Sequence, residues 1–567
     1  IAQSGSSLGQ ASMAWPVAHH LQRSSRSLSS PFFSGTLSHA IRGFGSAVDI
    51  SSSSELAGKP QLVKEQPSTQ FAEVSSTDGA AGFPRVNARY QPVEHPGLDP
   101  LPDRRGSPGP SEKHWEAYWS EADLQRANER HVMLTWGPSQ SAKDLPKIVH
   151  SEGVYVYDKT GKRYLDWTSQ AICMNLGHTM PESISSAISN QMATLPYLYS
   201  SMGICPVRPR LSKLLAQITP GDITGFLFPS GGSEANEAAI RIARRYTGRE
   251  KILTQYRSYH GGSAYALGAT GDFRKSFTEG GVTGFVKIFN PQPWGFSWGK
   301  TDTDATKLCL QALEEQILLE GPNSIAAIML ESIVGAGGVL VPPDGYMEGV
   351  RALCDKYNIL MVLDEVMAGF GRTGELWAFE HFEGVVPDIV TSAKGLTGAF
   401  LPMSVVGVRE PIRQFFLTHP VGWGATYHAH PVTMACAYET IKYLLENQLT
   451  QRAKKLQMVM LEEIDHIVEK HPSVKQGRAI GLFGCLDLQD STGRSVQSLS
   501  GPSPPHVTQF RKALRNNGLM ALFRPPLLHC CPPLIIKESE LRDGFRRLSD
   551  ALSQLDSAIA RFQRRAL

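Results

Sequence analysis

The sequence predicts an α/β protein: a large domain built on a mostly parallel sheet flanked by helices, with a smaller α+β domain attached to it. Two observations carry this. Short apolar strands alternate with helical stretches through the middle of the chain, namely GFLF (Gly225 to Phe228), KILTQY (Lys251 to Tyr256), IAAIMLES (Ile325 to Ser332), ILMVL (Ile359 to Leu363), DIVTSA (Asp388 to Ala393) and SVVGV (Ser404 to Val408). Strands joined by helical crossovers pair in parallel and are covered on both faces. From about Asn447 helical patterns return, followed by the strand-like GLFGCLDL, the segment PPLII and an amphipathic helix near Glu538 to Phe562.

The elements follow in chain order. Residues 1–111 read as leader and linker. Ile1 to Ala47 contains no Asp or Glu, is dense in serine and carries Arg23, Arg26 and Arg42, the composition of a transit peptide. It predicts import into the mitochondrial matrix; a plain disordered leader on a cytoplasmic protein has the same serine bias. From Ser51 to about Ser111 the chain is rich in Pro, Gly and Ser and buries too little apolar surface to offset its ordering entropy. Residues 112–190 form an N-terminal segment contributing to the small domain, in which VYVYDKTGKRYLDW (Val154 to Trp167) alternates about a D-K-T-G turn as a β-hairpin. Residues 191–445 are the large domain and 446–567 the C-terminal small domain.

Composition excludes several function classes. With 567 residues, 41% hydrophobic and 19% charged, the chain can bury a large core. A formal net charge of +3 supplies no basic field for a nucleic-acid partner, and no apolar run reaches the length of a membrane span. Neither partner is expected. Cys173, Cys205, Cys309, Cys354, Cys436, Cys485, Cys530 and Cys531 include no C-x-x-C pair, so neither a disulfide framework nor a structural metal is expected. No fixed-period repeat is present.

The chemistry lies at the strand ends. ILMVLDEVMAGFGRTG ends a buried strand in Asp364 and Glu365. A nucleotide hydrolase would place a magnesium-binding aspartate there, but it needs a phosphate loop, and the only G-K-T, at Gly299 to Thr301, has Trp294 where the first glycine belongs. FLFPSGGSEANEAAIRIARRYTG puts Gly231, Gly232 and Ser233 between a strand and a helix, where free N–H groups and the helix dipole suit a phosphate. DIVTSAKGL ends another strand at Lys394, where desolvation would favour a neutral, nucleophilic amine. RSYHGG offers Tyr259 and His260 just after a strand. Taken singly, each has a bland explanation: a turn cap, a helix start, a snorkelling lysine, a core aromatic. Together a phosphate cradle, an aromatic plate, a strand-end carboxylate and a strand-end lysine are the equipment for pyridoxal phosphate, in which Asp364 would face the protonated pyridine nitrogen.

The stretch LDEVMAGFGRTGELWAFEHFEGVVPDIVTSAKGL resembles the signature of class III, fold-type I pyridoxal-phosphate aminotransferases, the ω-aminotransferase group, over about Thr135 to Ser557. The resemblance implies that Lys394 is the Schiff-base lysine and proton carrier, that Asp364 pairs with the pyridine nitrogen, and that Val366 and Tyr259 cover the two ring faces, with His260 beside them. It implies that Gly231, Gly232 and Ser233 hold the phosphate, and that Thr426, in GWGATYHAHP, reaches the phosphate of a neighbouring subunit in a homodimer or a dimer of dimers. Glu331 matches a glutamate near the cofactor. RSYHGG, IMLESIVGAGGVLVPPDGY and GLMALFRPPLLHCCPPLII are similar to taurine–pyruvate and β-alanine–pyruvate types, which implies an ω-amino donor and a 2-oxo acid, pyruvate, as substrates. Arg524 is expected to bind a carboxylate and to swing aside, and Trp136 and Tyr199 to line the substrate side. A 2-oxoglutarate-dependent GABA or ornithine enzyme, an aminomutase and an idle scaffold are the alternatives; intact Lys394, Asp364 and phosphate loop speak against the last.

Overall fold

The computed structural model describes residues 120–566, apart from 138, 140–144, 278–281, 294 and 498–502. The expected leader and linker lie outside the described residues.

The centre is a seven-stranded sheet in the order β4-β10-β9-β8-β7-β5-β6. Its strands are β4 (Ile223–Leu227), β5 (Lys251–Gln255), β6 (Phe285–Ile288), β7 (Ile325–Glu331), β8 (Leu360–Asp364), β9 (Ile389–Ser392) and β10 (Val405–Arg409). From β9 through β6 all pairs are parallel. The exception is β10, antiparallel to both neighbours, because the short stretch between Ser392 and Val405 carries the turn at Lys394 and no crossover helix. Every residue of β7 and β8 is buried, as expected of central strands covered on both faces.

One of the covering helices, Gly232–Thr247, presents Ala235, Ala238, Ala239, Ile242 and Ala243 to Ala327, Met329, Val362 and Val406 of the sheet. Alanines at helical spacing let its backbone lie close to the strands, which fixes where its N-terminus points.

Two four-stranded sheets complete the fold. The first joins the predicted hairpin, β2 (Tyr155–Asp158) and β3 (Arg163–Asp166), to β1 (Ile148–Glu152) and, far along the chain, to β13 (Leu519–Met520), which runs parallel to β3. The turn forms as read: Asp158 Oδ1 accepts from Thr160 N at 2.9 Å and Lys162 N at 3.1 Å. The second sheet has the order β11-β12-β15-β14, with β11 (Val474–Ile480), β12 (Phe483–Leu488), β14 (Phe523–Arg524) and β15 (Leu527–Cys530). The final helix, Glu538–Ala566, buries Leu541, Phe545, Leu548, Leu552 and Leu555. Phe545 meets the buried ring of Trp167 edge-on at 4.9 Å, and Gly544 is required there, since a Cβ would lie 2.1 Å from Trp167 Cζ3. All eight cysteines are free, and among the described residues no helix is long and apolar enough to cross a membrane.

Candidate active site

Four strands deliver their C-terminal ends to one edge of the central sheet. β5 leads to Tyr259 and His260, β7 ends at Glu331, β8 at Asp364, and β9 runs into the 3-10 turn Lys394–Leu396. In open α/β sheets this edge is where ligands bind.

Asp364 is the most heavily held of these groups. It is 4% exposed; its Oδ2 accepts from Asn236 Nδ2 at 2.7 Å and from His260 Nδ1 at 2.8 Å, and its Oδ1 from Val366 N at 2.9 Å. Asn236 is fully used: Nδ2 also donates to His260 O at 2.6 Å, and Oδ1 accepts from Thr391 Oγ1 at 2.7 Å. No lysine or arginine pairs with Asp364 among the described residues, and a buried carboxylate without a fixed cation is costly. A protonated ring nitrogen would supply that charge, and Oδ1, which takes a single protein hydrogen bond, has capacity to accept it.

Lys394 sits in a backbone conformation that side-chain-bearing residues rarely adopt, with φ +34. Such outliers persist where the surroundings over-determine them, often at functional sites. Loss of hydration holds its amine below the ordinary lysine range; Cys173, Asp364 and Glu331 act in the opposite sense, and Arg524 adds to the depression. Cys173 belongs to a tight loop in which Ser169, Gln170 and Ile172 also have positive φ. Glu331 accepts from Tyr259 N at 2.9 Å and Gly335 N at 2.8 Å, and burial pushes its carboxyl up to about 7.

The phosphate loop opens helix Gly232–Thr247. Gly231 is its N-cap, makes no side-chain cap and has nothing within 4 Å of where a Cβ would be, and the first-turn N–H groups of a helix have no intrahelical acceptor. Gly232 has no room for a side chain, since its Cβ would come 2.8 Å from Val366 Cγ1. Ser233 Oγ accepts from Gly262 N at 2.8 Å, tying this loop to the Tyr259 segment. Glu234 turns back onto Ser230 N at 2.8 Å, using one donor of the loop. An open cradle of N–H donors, a buried carboxylate short of a cation and a partly dehydrated amine fit pyridoxal phosphate.

The predicted residues divide into three groups. Gly231, Gly232, Ser233, Tyr259, His260, Glu331, Asp364, Val366 and Lys394 are brought together by the contacts above. Trp136 is 47% exposed and lies beside Tyr259, ring centroids 6.2 Å apart. Arg524, on β14, is near enough for its charge to act on Lys394 and Tyr259. Tyr199 and Thr426 are exposed, and the Thr426 carbonyl accepts from Tyr197 Oη at 2.6 Å. Sequence reasoning missed Asn236, whose signal was a single amide inside the alanine face of a helix, and Arg274, whose guanidinium lies 3.5 Å from the centroid of Tyr259. Glu365, next to Asp364 in sequence, turns away from the site: it accepts from the Ser332 hydroxyl and from Ala378 N and Phe379 N, the last two at 2.9 Å.

Fold and site together define a fold-type I pyridoxal-phosphate enzyme. A family model, "Aminotransferase class-III", matches residues 138–552, and the chain belongs to that family of pyridoxal-phosphate-dependent transaminases. The putrescine–pyruvate aminotransferase of Pseudomonas aeruginosa is 30% identical over 431 residues, 73% of this chain and 91% of that protein. The taurine–pyruvate aminotransferase of Bilophila wadsworthia is 33% identical over 386 residues, 65% of this chain and 83% of that one. Among solved structures, the taurine:2-oxoglutarate aminotransferase from Bifidobacterium kashiwanohense, in complex with PLP and glutamate, is 37% identical with a TM-score of 0.73, over 77% of this chain and 98% of that one.

Proposed function

We propose that this transaminase moves the amino group of an ω-amino acid or amine, of the β-alanine or taurine kind, to pyruvate, in a homodimer that completes each site with Thr426 of the neighbouring subunit. The observation that carries the substrate reading is Arg524: its side chain is largely withdrawn from water, which lowers its hold on its proton, and it makes no ion pair among the described residues while its charge reaches Lys394 and Tyr259. A dehydrated guanidinium without a carboxylate is costly, and the carboxylate of a 2-oxo acid would satisfy it through a bidentate pair. The relatives named for pyruvate support this acceptor.

Bound pyridoxal phosphate supplies an electron sink for the charge left when the substrate carbon loses its proton. The residues do the rest. Lys394, whose amine burial holds below the ordinary lysine range, acts as nucleophile and carries the proton on Nζ. Asp364 holds positive charge at the pyridine nitrogen, with Asn236 and His260 fixing its Oδ2. The first-turn N–H groups at Gly232 and Ser233 would hold the phosphate, and Val366 and Tyr259 would cover the ring. Glu331 orients the Tyr259 segment through its N–H.

The test is a half-reaction. β-alanine, taurine, putrescine, GABA or ornithine is added singly to loaded enzyme without oxo acid, and the cofactor's visible absorption is followed. Bleaching by an ω-amino donor, reversed by pyruvate, is the expected result. Recovery with 2-oxoglutarate alone would hand the acceptor to the second reading, the reaction named for the Bifidobacterium protein.

A further inference from the structure

One guanidinium, that of Arg274, packs against the Tyr259 ring, and the charge of a second, Arg524, reaches the same ring. The Arg274 guanidinium lies 3.5 Å from the centroid of the Tyr259 ring and 5.5 Å from that of Trp136, and its side chain is only 4% exposed. Its position is fixed by Asp272: Nε lies 3.1 and 3.0 Å from the two carboxylate oxygens, Nη2 donates to Oδ2, and the Arg274 backbone N–H donates to Oδ1 at 3.0 Å. That fork uses Nε and Nη2. Nη1 has no hydrogen-bond partner among the described residues. Arg524 stands close by, and the two like charges oppose one another in a site largely withdrawn from water.

We propose that Arg274, through its Nη1 edge, is a second acid-group anchor that selects amino donors ending in a carboxylate or sulfonate over donors ending in a second amine. This rests on the ω-amine reading above and goes beyond it. A transaminase of this kind must hold a donor whose acid group is remote from its amine and an oxo acid whose carboxylate adjoins the reacting carbon. One cation can do both only by moving. Two cations divide the task, Arg524 taking the oxo acid and Arg274 the distal acid of the donor. Anions of either kind are favoured where the charges of two guanidiniums act together, and charge-assisted hydrogen bonds give the selection its strength. The distal ammonium of a diamine would face the same two charges and be repelled. Asp272 offsets part of the Arg274 charge and keeps the anchor from holding its ligand too long.

The experiment compares loaded wild-type enzyme with Arg274→Met, Arg274→Lys and Asp272→Asn. Donor kcat/KM is measured for β-alanine, taurine and putrescine, and competitive inhibition against the donor for propionate and ethanesulfonate, which carry the acid group and no amine. Arg274→Met should lower the β-alanine to putrescine ratio of kcat/KM by about tenfold or more and weaken the acid inhibitors comparably, with Arg274→Lys in between. Asp272→Asn, which leaves the guanidinium in place, should tighten them. The larger effect, on β-alanine with propionate or on taurine with ethanesulfonate, identifies the acid. If all donors fall by one factor and inhibition is unchanged, Arg274 only supports Tyr259 and the proposal fails. If wild-type enzyme uses none of the three donors, the ω-amine reading falls, and the inhibitor series against whatever donor it does use still decides the role of Arg274.

Discussion

Glu331 and Asp364 stand in register across the β7–β8 ladder, two carboxylates side by side at the ends of adjacent parallel strands. Their surroundings separate them. Asp364 is held by two side-chain donors and one backbone N–H, whereas Glu331 has two backbone N–H groups. Burial is the main cause that pushes Glu331 up to about 7, with the Asp364 charge adding to it and His260 opposing it. The surroundings therefore favour a proton on Glu331 far more than water would.

A carboxyl titrating at about 7 in the native state, against about 4.3 unfolded, takes up a proton on folding between those values. Its contribution favours the native state below the unfolded value and is lost as pH rises through 7. Glu331→Gln removes that titration. Urea midpoints of the apo-enzyme between about pH 5 and 7 should then fall less steeply with pH than wild type, by up to about 1.4 kcal/mol per pH unit. The slope will not vanish, because Glu365 is also raised to about 7. Equal slopes would mean Glu331 is ionised throughout.

Glu365→Ala tests the carboxylate that turned away. It would strip acceptors from the Ser332 hydroxyl and from two backbone N–H groups at Ala378 and Phe379, all buried. Unsatisfied buried donors cost about 1–3 kcal/mol each, so a loss of about 3 kcal/mol or more is expected in denaturant unfolding. A loss under about 1 kcal/mol would show that water replaces the carboxylate.

What was legible in the sequence had local signatures. A run of aliphatics announces a buried strand, and the polar residues that end it mark the sheet edge, so Asp364 and Lys394 could be placed without coordinates, while Glu331 was reached through the family resemblance. Gly231 to Ser233 were legible because a strand, a glycine turn and a helix are consecutive. Asn236 was not, since its meaning comes from Thr391 and Asp364 on two other strands. Arg274 was hidden for the same reason: no pattern in GDFRKSF shows that its loop folds over Tyr259. The antiparallel turn of β10 is a property of pairing partners, and alternation of strand and helix suggests parallel strands by default.

Gly261→Ala should loosen the link between the phosphate loop and the Tyr259 segment. Gly261 has φ +141, and a Cβ would lie 2.3 Å from Ser233 Oγ and 2.8 Å from Ser233 Cα, so both backbones must shift. Strain of this kind costs about 1–3 kcal/mol. Cofactor released on dialysis should rise well above wild type, while the far-ultraviolet circular dichroism is kept. Retention equal to wild type would show that the loop absorbs the methyl group without moving Ser233.

Asn236→Asp is nearly isosteric and changes only chemistry. It sets a second carboxylate where Nδ2 now donates to Asp364 Oδ2 at 2.7 Å, replacing attraction by repulsion and leaving His260 O without its donor. The apparent dissociation constant for pyridoxal phosphate should rise by about tenfold or more. Unchanged affinity would mean that Asn236 braces β9 through Thr391 and has no bearing on the cofactor.

Lys394→Ala removes the one amine that the strand-end turn aims into the site. Turnover should be abolished, since no other lysine lies among the groups gathered there, and the cofactor should still bind noncovalently because Asp364, the phosphate loop and the Tyr259 face are untouched. The measurements are steady-state activity, the visible spectrum of the reconstituted protein and the rate at which cofactor is lost on gel filtration, expected to be faster than wild type. The positive φ at Lys394 makes a folding control necessary: Lys394→Arg keeps a long cationic side chain on the same backbone and should be equally inactive. Full activity in either variant would sink the assignment of Lys394 as nucleophile and proton carrier.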